Sequence, residues 1–197
     1  MSDGRVLLAW DSPNIDMVLG QLILRRKPTG RERPRIDALG AWLRERGAEE
    51  DLALEAAVFA NVTERTFNGV LGWAEVVRQS GFRMFLKPKL SEGSDVDEDI
   101  LALVRQRAAE VAPALREVVL MSHDGMAFAE LARELLADGI RVTALVFPEH
   151  ATQLVSVDGI DVVDLEDVPG LFEQPLPRLT FATLPAEGRW LEPLGDL

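Results

Sequence analysis

The chain has 197 residues, of which 47% are hydrophobic, and a formal net charge of −12 from 33 Asp and Glu against 21 Lys and Arg. This length is enough for one sizeable hydrophobic core. The absence of cysteine excludes disulfides, thiolate metal ligands and cysteine nucleophiles. The acidic balance argues against tight, non-specific binding to nucleic acid.

The sequence also carries signals about location. No apolar run approaches the roughly 18 residues that a membrane span needs. Residues 1–5 lack the charged-then-apolar plan of a signal peptide. A chain without cysteine suits a reducing compartment. We therefore expect a soluble, cytoplasmic protein without membrane contact.

Strand and helix patterns alternate along most of the chain. Strands are predicted at residues 6–10, 52–62, 82–86, 116–121 and 140–147. Helices are predicted at residues 15–24, 35–46, 70–77, 95–111 and 127–137. This alternation predicts an α/β fold with a mostly parallel, five-stranded sheet and helices on both faces.

The alternation weakens beyond His150. Residues 154–155 and 162–165 could be short strands, with a helical turn at 166–172. From residue 174 the chain is rich in both proline and apolar residues, which excludes a regular element but also a free linker. We expect a domain at 1–150 and an extension at 151–197 that packs on that domain or on the partner in a homodimer.

Acidic residues stand where the predicted sheet has one common edge. In a parallel sheet, the carboxyl end of each strand and the amino end of the next helix lie on the same side. Asp11 follows the first strand, residues 95–99 open a helix, and Asp124 follows the fourth strand. The three acidic turns should converge. At 100° per residue, Asp97 falls within the apolar stripe of its helix.

Each of these acids also has an ordinary structural interpretation. Asp11 could cap the following helix, and Asp124 could do the same. Acids in a first helical turn meet the helix dipole favourably, which could be the whole role of Asp95, Glu98 and Asp99. Convergence favours a site, because several carboxylates at one edge repel each other unless a divalent cation or protons neutralise them.

The ligand types point to a particular metal and reaction. Oxygen ligands without cysteine or clustered histidine favour Mg²⁺ or Mn²⁺ over zinc. Such an ion would orient water and offset charge on a phosphodiester during cleavage. Hydrolysis of a nucleic-acid strand is the reaction class that follows.

A basic loop interrupts the acidic body. Its cationic residues are Arg25, Arg26, Lys27, Arg31, Arg33 and Arg35. The loop is either a solvated connector that balances nearby acids or a surface that contacts substrate phosphates, in which case Arg25, Arg26, Lys27 and Arg31 bind RNA.

Three short motifs in this order resemble the NYN family, within the PIN-like group of nucleases. They are Asp11-x-x-Asn14 after the first strand, Asp97 three residues before Ile100, and Ser122-x-Asp124-Gly125 after a hydrophobic strand. The resemblance covers about residues 4–147. It implies a Rossmann-like sheet of PIN type and metal-dependent ribonuclease activity.

The resemblance also assigns roles to residues. It implies that Asp11, Asp97 and Asp124 bind the metal and that Asn14 orients the site or the scissile phosphate. The family commonly has a second acid after the fourth strand, where this chain has Met126. Glu130 could replace that acid or could be a surface residue.

Ser122 and His123 are candidates for substrate contact at the same turn. The His123 ring could bind phosphate or move a proton, or it could be a turn histidine without a catalytic task. Three functions stay open: an endoribonuclease, a degenerate NYN domain that binds RNA or protein without cutting, and a small-molecule phosphotransfer or hydrolase domain. The last lacks support, because neither a glycine-rich phosphate loop nor a serine nucleophile elbow is present.

Overall fold

A parallel six-stranded sheet forms the centre of the molecule. The computed structural model describes residues 4–91, 93–111 and 114–191. The strand order is β3–β2–β1–β4–β5–β6, and every neighbouring pair is parallel. The strands are β1 (Gly4–Asp11), β2 (Ala53–Val62), β3 (Arg83–Pro88), β4 (Ala114–Met121), β5 (Arg141–Val146) and β6 (Asp161–Asp164).

Helices connect these strands. They are α1 (Ser12–Met17), α2 (Ile36–Glu49), α3 (Phe67–Gln79), α4 (Asp97–Ala108), α5 (Met126–Ala137) and α6 (Thr152–Val155). Helix α1 continues directly as a π-helix, Val18–Leu24, which ends at Arg25 in a left-handed conformation with φ of 55°. Short 3₁₀ turns occupy Gly30–Glu32, Pro148–His150, Leu165–Asp167 and Phe181–Thr183.

The sheet separates two hydrophobic cores because side chains alternate between its faces. On one face, Leu7 and Ala9 of β1 pack with residues of α4 and α5. On the other face, Val6 and Leu8 pack with residues of α1, α2 and α3. Asp11 follows the odd-numbered series, so its side chain lies on the α4 and α5 face.

Ion pairs occupy the amino-terminal edge of the sheet. Glu55 of β2 pairs with Arg5, Arg83 and Arg107. On the opposite face, Glu117 of β4 pairs with Arg46, is 1% exposed, and accepts a hydrogen bond from Thr143. Glu55 and Glu117 are thus neutralised by arginines. Among the described side chains, these arginines do not pair with the acids at the carboxyl-terminal edge.

The predicted parallel α/β fold is confirmed, with six strands instead of five. The additional strand β6 is short and ends the sheet beside β5. A strand at residues 154–155 was a wrong expectation, because Leu154 is buried in the short helix α6. Among the described residues, no helix combines the length and apolar character needed to cross a bilayer.

Candidate functional site

Asp11 connects the end of β1 to the start of α1. It is 2% exposed. Its Oδ1 accepts a hydrogen bond from the Asn14 main-chain N at 3.1 Å, so the side chain caps α1. Its Oδ2 accepts a hydrogen bond from the Ser122 hydroxyl at 2.9 Å. Pro13 suits the first helical turn, where an N–H has no intrahelical partner. Asp11 is therefore both a helix cap and a buried carboxylate at the sheet edge.

Burial dominates the electrostatics of Asp11. It raises the pKa of the Asp11 carboxyl from 3.8 to about 6. The hydrogen bonds from Asn14 and Ser122 oppose this rise, whereas the charges of Asp124 and Asp95 add to it. Like charges near a buried acid favour its neutral form. The pKa of Asp11 is therefore raised in part by other carboxylates that lie close to it.

Asp97 is the first residue of α4 and is half-buried. Burial is the largest cause that raises its pKa to about 7, followed by the charges of Asp11, Asp124 and Asp95. A side-chain hydrogen bond with Asp124 contributes in the same direction. The structure therefore brings together Asp11, Asp97 and Asp124, the three acids that the sequence had placed at one edge.

Asp95 joins the three acids from the loop before α4. It is exposed, yet its charge raises the pKa of both Asp11 and Asp97. Asp99 has a different environment, because the Lys87 ammonium donates to its Oδ2 at 2.7 Å. The sequence places Asp95 just before the helix, at the same edge of the sheet as the other acids. A helical wheel that starts at residue 95, however, directs its side chain away from the apolar stripe.

Asn14 and His123 form a second polar unit at this edge. The Asn14 Oδ1 accepts a hydrogen bond from the His123 main-chain N at 2.8 Å and lies 3.1 Å from the ring Nδ1. The ring Nε2 accepts a hydrogen bond from the Phe147 main-chain N at 2.9 Å. Because Nε2 is an acceptor, Nδ1 carries the ring proton and donates it to Asn14.

His123 is a neutral, structural residue in this arrangement. Burial lowers the pKa of its ring to about 3, and the neighbouring His150 adds to that effect. Both ring nitrogens have hydrogen-bond partners, so contact with a phosphate or transfer of a proton would require one of these bonds to break. The placement of His123 argues against direct contact with substrate. Ser122 is 1% exposed and donates its hydroxyl to Asp11, which likewise gives it a supporting role.

Asn61 was not identified from the sequence. It lies near the end of β2, two residues beyond Phe59, which pairs with Asp11 across the sheet. By alternation its side chain shares the face of Phe59 and Asp11. Its side-chain Nδ2 is buried and has no hydrogen-bond partner. In the sequence, the alternation of side chains through Ala57 and Phe59 predicts that the Asn61 side chain lies on the same face of the sheet.

Half of the cations of the basic loop form ion pairs, among them Arg35 with Asp37. The Arg26 guanidinium pairs with Glu32, and Arg33 donates to both oxygens of Asp16 at 3.0 and 2.9 Å. In residues 4–91, 93–111 and 114–191, no ion pair involves Arg25, Lys27 or Arg31, which are exposed. An open cleft of about 590 Å³ lies between this loop and α1; its lining includes Pro13, Asp16, Met17, Arg25, Lys27 and Arg33.

The turn after β4 does not contain a replacement for the second acid. Met126 begins α5 and is 78% exposed. Glu130 is also exposed and contributes charge near Arg105. Glu130 is therefore a surface residue. Throughout the part of the chain that the structure describes, no three acidic or histidine side chains are placed closely enough to hold a metal ion together.

Comparison with known proteins identifies the family. The sequence model of the NYN domain matches residues 5–165, a range that runs from the second residue of β1 through β6 and includes all of the acids described above. The chain belongs to the NYN domain family. This NYN domain is accordingly a nuclease-like domain of the PIN-like group. No curated protein matches the chain.

A solved structure shares the fold of this NYN domain. It is a protein of unknown function from Vibrio parahaemolyticus, 18% identical, with a TM-score of 0.60. The alignment covers 81% of this chain and 93% of that protein. At this identity the likeness shows a common fold alone. The chemistry of the NYN domain depends on its own side chains.

Proposed function

We propose that this NYN domain is an endoribonuclease that depends on Mg²⁺ or Mn²⁺. The observation that supports the proposal most is the proximity of acids at the carboxyl-terminal edge of the sheet, where the charge of Asp124 acts on both Asp11 and Asp97. Burial and the charges of Asp124 and Asp95 raise the pKa of both Asp11 and Asp97. An ion between them would offset the charge that this arrangement concentrates.

The donor set fits a hard cation. Carboxylate oxygens are the ligands that Mg²⁺ and Mn²⁺ prefer, and the set contains neither sulfur nor a free imidazole nitrogen. The nearby Lys87 ammonium is bonded to Asp99 and does not neutralise the three acids. Asp11, Asp97 and Asp124 would hold the ion after rotation of the more exposed Asp97 and Asp124 side chains.

Asp95 would replace the acid that is missing at position 126. Its charge already acts on Asp11 and Asp97, so it supplies the site with a fourth negative charge from a different loop. In this role Asp95 would accept hydrogen bonds from water around the cation. When bound, the cation would supply Lewis-acid chemistry that offsets charge on the phosphodiester.

The remaining polar residues position the substrate. The Asn14 Oδ1 already accepts from His123, so its Nδ2 is the group that can donate to a phosphate oxygen. The buried Nδ2 of Asn61 is a second donor on the β2 side. An unchanged kcat/KM for RNA in Asn61→Leu would show that Asn61 does not have this role.

RNA would reach the acids along the cleft beside α1. Arg25, Lys27 and Arg31 are exposed and without ion pairs in the described part of the chain, so they can contact phosphates. Arg26 is committed to Glu32 and would serve mainly to shape the loop. Contact limited to a few cations fits the net charge of −12, which would repel RNA from the rest of the surface.

A domain that binds RNA without cutting is the second candidate. The exposed Met126 at the position of a family acid favours it. The two candidates predict different results in the same assay. Only the enzyme would cut RNA into shorter products, and it would lose this activity when its acids are replaced.

Cleavage of single-stranded RNA in the presence of Mn²⁺ tests the proposal. The wild type is compared with a double variant, Asp11→Asn and Asp97→Asn, and with Glu98→Gln as a control for an exposed acid in the same helical turn. We expect the double variant to lose cleavage and Glu98→Gln to retain it. Equal product from wild type and double variant would reject the enzyme.

A further inference from the structure

Arg178 lies beyond the residues that match the NYN domain, yet its side chain is 3% exposed. All five of its N–H groups donate hydrogen bonds of 2.7 or 2.8 Å to three carboxylates, those of Glu149, Asp164 and Glu166. The guanidinium thus joins the C-terminal segment to β6 and to the turn after β5.

The same guanidinium covers the ring of Phe147. Its central carbon lies 4.6 Å from the ring centroid, within cation–π distance. On the side of the acids, Phe147 stacks on His123 with centroids 5.4 Å apart and an interplanar angle of 14°. The Phe147 main-chain N donates to the His123 Nε2. Arg178 and His123 are therefore linked through one aromatic residue.

His123 transmits this placement to Asn14. Its ring Nδ1 and main-chain N both contact the Asn14 Oδ1, which leaves the Asn14 Nδ2 as the free end of the amide. The Asn14 main-chain N in turn donates to Asp11. A continuous path of contacts leads from the C-terminal segment to the acids.

We propose that Arg178 is a positioning residue for the site: through Phe147 and His123 it fixes the amide of Asn14 with Nδ2 toward the substrate. This inference rests on the proposed function for its kinetic consequence. It makes the segment after residue 165 part of the functional unit. Arg178 itself touches neither substrate nor metal.

The geometry requires arginine at this position. A guanidinium is planar, so it can donate in its plane to three carboxylates while its face covers Phe147. Lysine would keep the positive charge but has three donors on a compact ammonium and no flat face. Arg178→Lys therefore separates the geometry of the contact from its charge.

The test uses the 197-residue chain with Arg178→Lys, and with Arg189→Gln as a matched control in an exposed part of the same segment. Cleavage kinetics and long-range ¹H–¹⁵N NMR spectra of the His123 ring are measured on each protein. We expect Arg178→Lys to lower kcat roughly tenfold with KM within about twofold. The His123 Nδ1–H correlation should shift or broaden, whereas Arg189→Gln changes neither.

Two results would overturn the inference. One is an unaltered kcat in a folded Arg178→Lys variant, and the other is a lower kcat with unaltered His123 signals. If the wild type itself does not cleave RNA, the NMR comparison still applies, together with the Asn14 side-chain amide signal. Phe147→Leu is the second variant, since it keeps the main-chain N–H but removes the stacked ring, and it should perturb the same signals.

Discussion

Ser122 donates its hydroxyl to Asp11 across the β1–β4 pair at 2.9 Å, and neither residue is more than 2% exposed. The bond joins the ends of two neighbouring strands and holds the Asp11 carboxyl toward the α4 side. It also lowers the pKa of Asp11 against the larger effect of burial. Ser122 thus keeps a buried acid available in its charged form.

Ser122→Ala should weaken binding of Mn²⁺ roughly tenfold, because loss of a supporting hydrogen bond both frees the carboxylate and raises its pKa. Isothermal titration calorimetry at pH 7 measures the affinity. Ser156→Ala, in an exposed turn, is the control. Equal affinities in Ser122→Ala and wild type would show that Asp11 does not depend on Ser122 for metal binding.

Asp97→Asn should stabilise the metal-free protein near neutral pH. Folding raises the pKa of Asp97 from 3.8 to about 7, so between these values the folded state binds more protons than the unfolded chain. The contribution of Asp97 to stability therefore falls as pH rises through this window. The melting temperature of Asp97→Asn relative to wild type should rise from about pH 4 to pH 7 and then level.

Calorimetry in EDTA measures this difference, with Glu98→Gln as the control. Saturating Mn²⁺ should reverse the order at pH 7.5, because the ion stabilises only the protein that binds it. A variant that melts below wild type at pH 7.5 in EDTA would contradict the raised pKa of Asp97.

Asp95→Asn should reduce Mn²⁺-dependent cleavage roughly tenfold while the fold is unchanged, since Asp95 would support the ion through water. Single-turnover cleavage at saturating RNA measures the effect. Asp158→Asn, an exposed acid far along the chain, serves as the control. Full activity in Asp95→Asn would show that Asp95 does not support the metal site.

Charge reversal at Lys27 and Arg31 should weaken RNA binding and flatten its dependence on salt, because each lost phosphate contact reduces the number of counterions released. Fluorescence anisotropy between about 50 and 200 mM salt measures the slope. Reversal of both Arg44 and Arg133, which are exposed on α2 and α5, changes the net charge by the same amount and is the control. The same slope in all three proteins would make the basic loop a connector.

The sequence was sufficient for the positions of Asp11, Asp97 and Asp124. Parallel strands bring their carboxyl ends to one edge, and the helical period of α4 applies from its first residue, Asp97. The proximity of Asp95 to Asp11 and Asp97 could not be predicted, because Asp95 precedes the helix, where that period sets no direction. The sequence shows the charges of the basic loop but not their ion pairs, because Arg33 contacts Asp16 only in the folded chain.

His123 shows a further limit of sequence reasoning. Its partners are Asn14, 109 residues before it, and Phe147, 24 residues after it. A turn histidine with two such partners has the same local sequence as one that faces solvent. Burial, which makes its ring neutral, involves the stacked ring of Phe147 after β5, so the tertiary structure decides its role.

Anomalous diffraction from crystals soaked in Mn²⁺ tests the central claim most directly. We predict one manganese peak at the carboxyl-terminal edge of the sheet, with oxygens of Asp11, Asp97 and Asp124 within about 2.5 Å, and no peak in crystals of the double variant, Asp11→Asn and Asp97→Asn. A wild-type crystal without a peak between these acids, at a Mn²⁺ concentration that supports RNA cleavage in solution, would contradict the account.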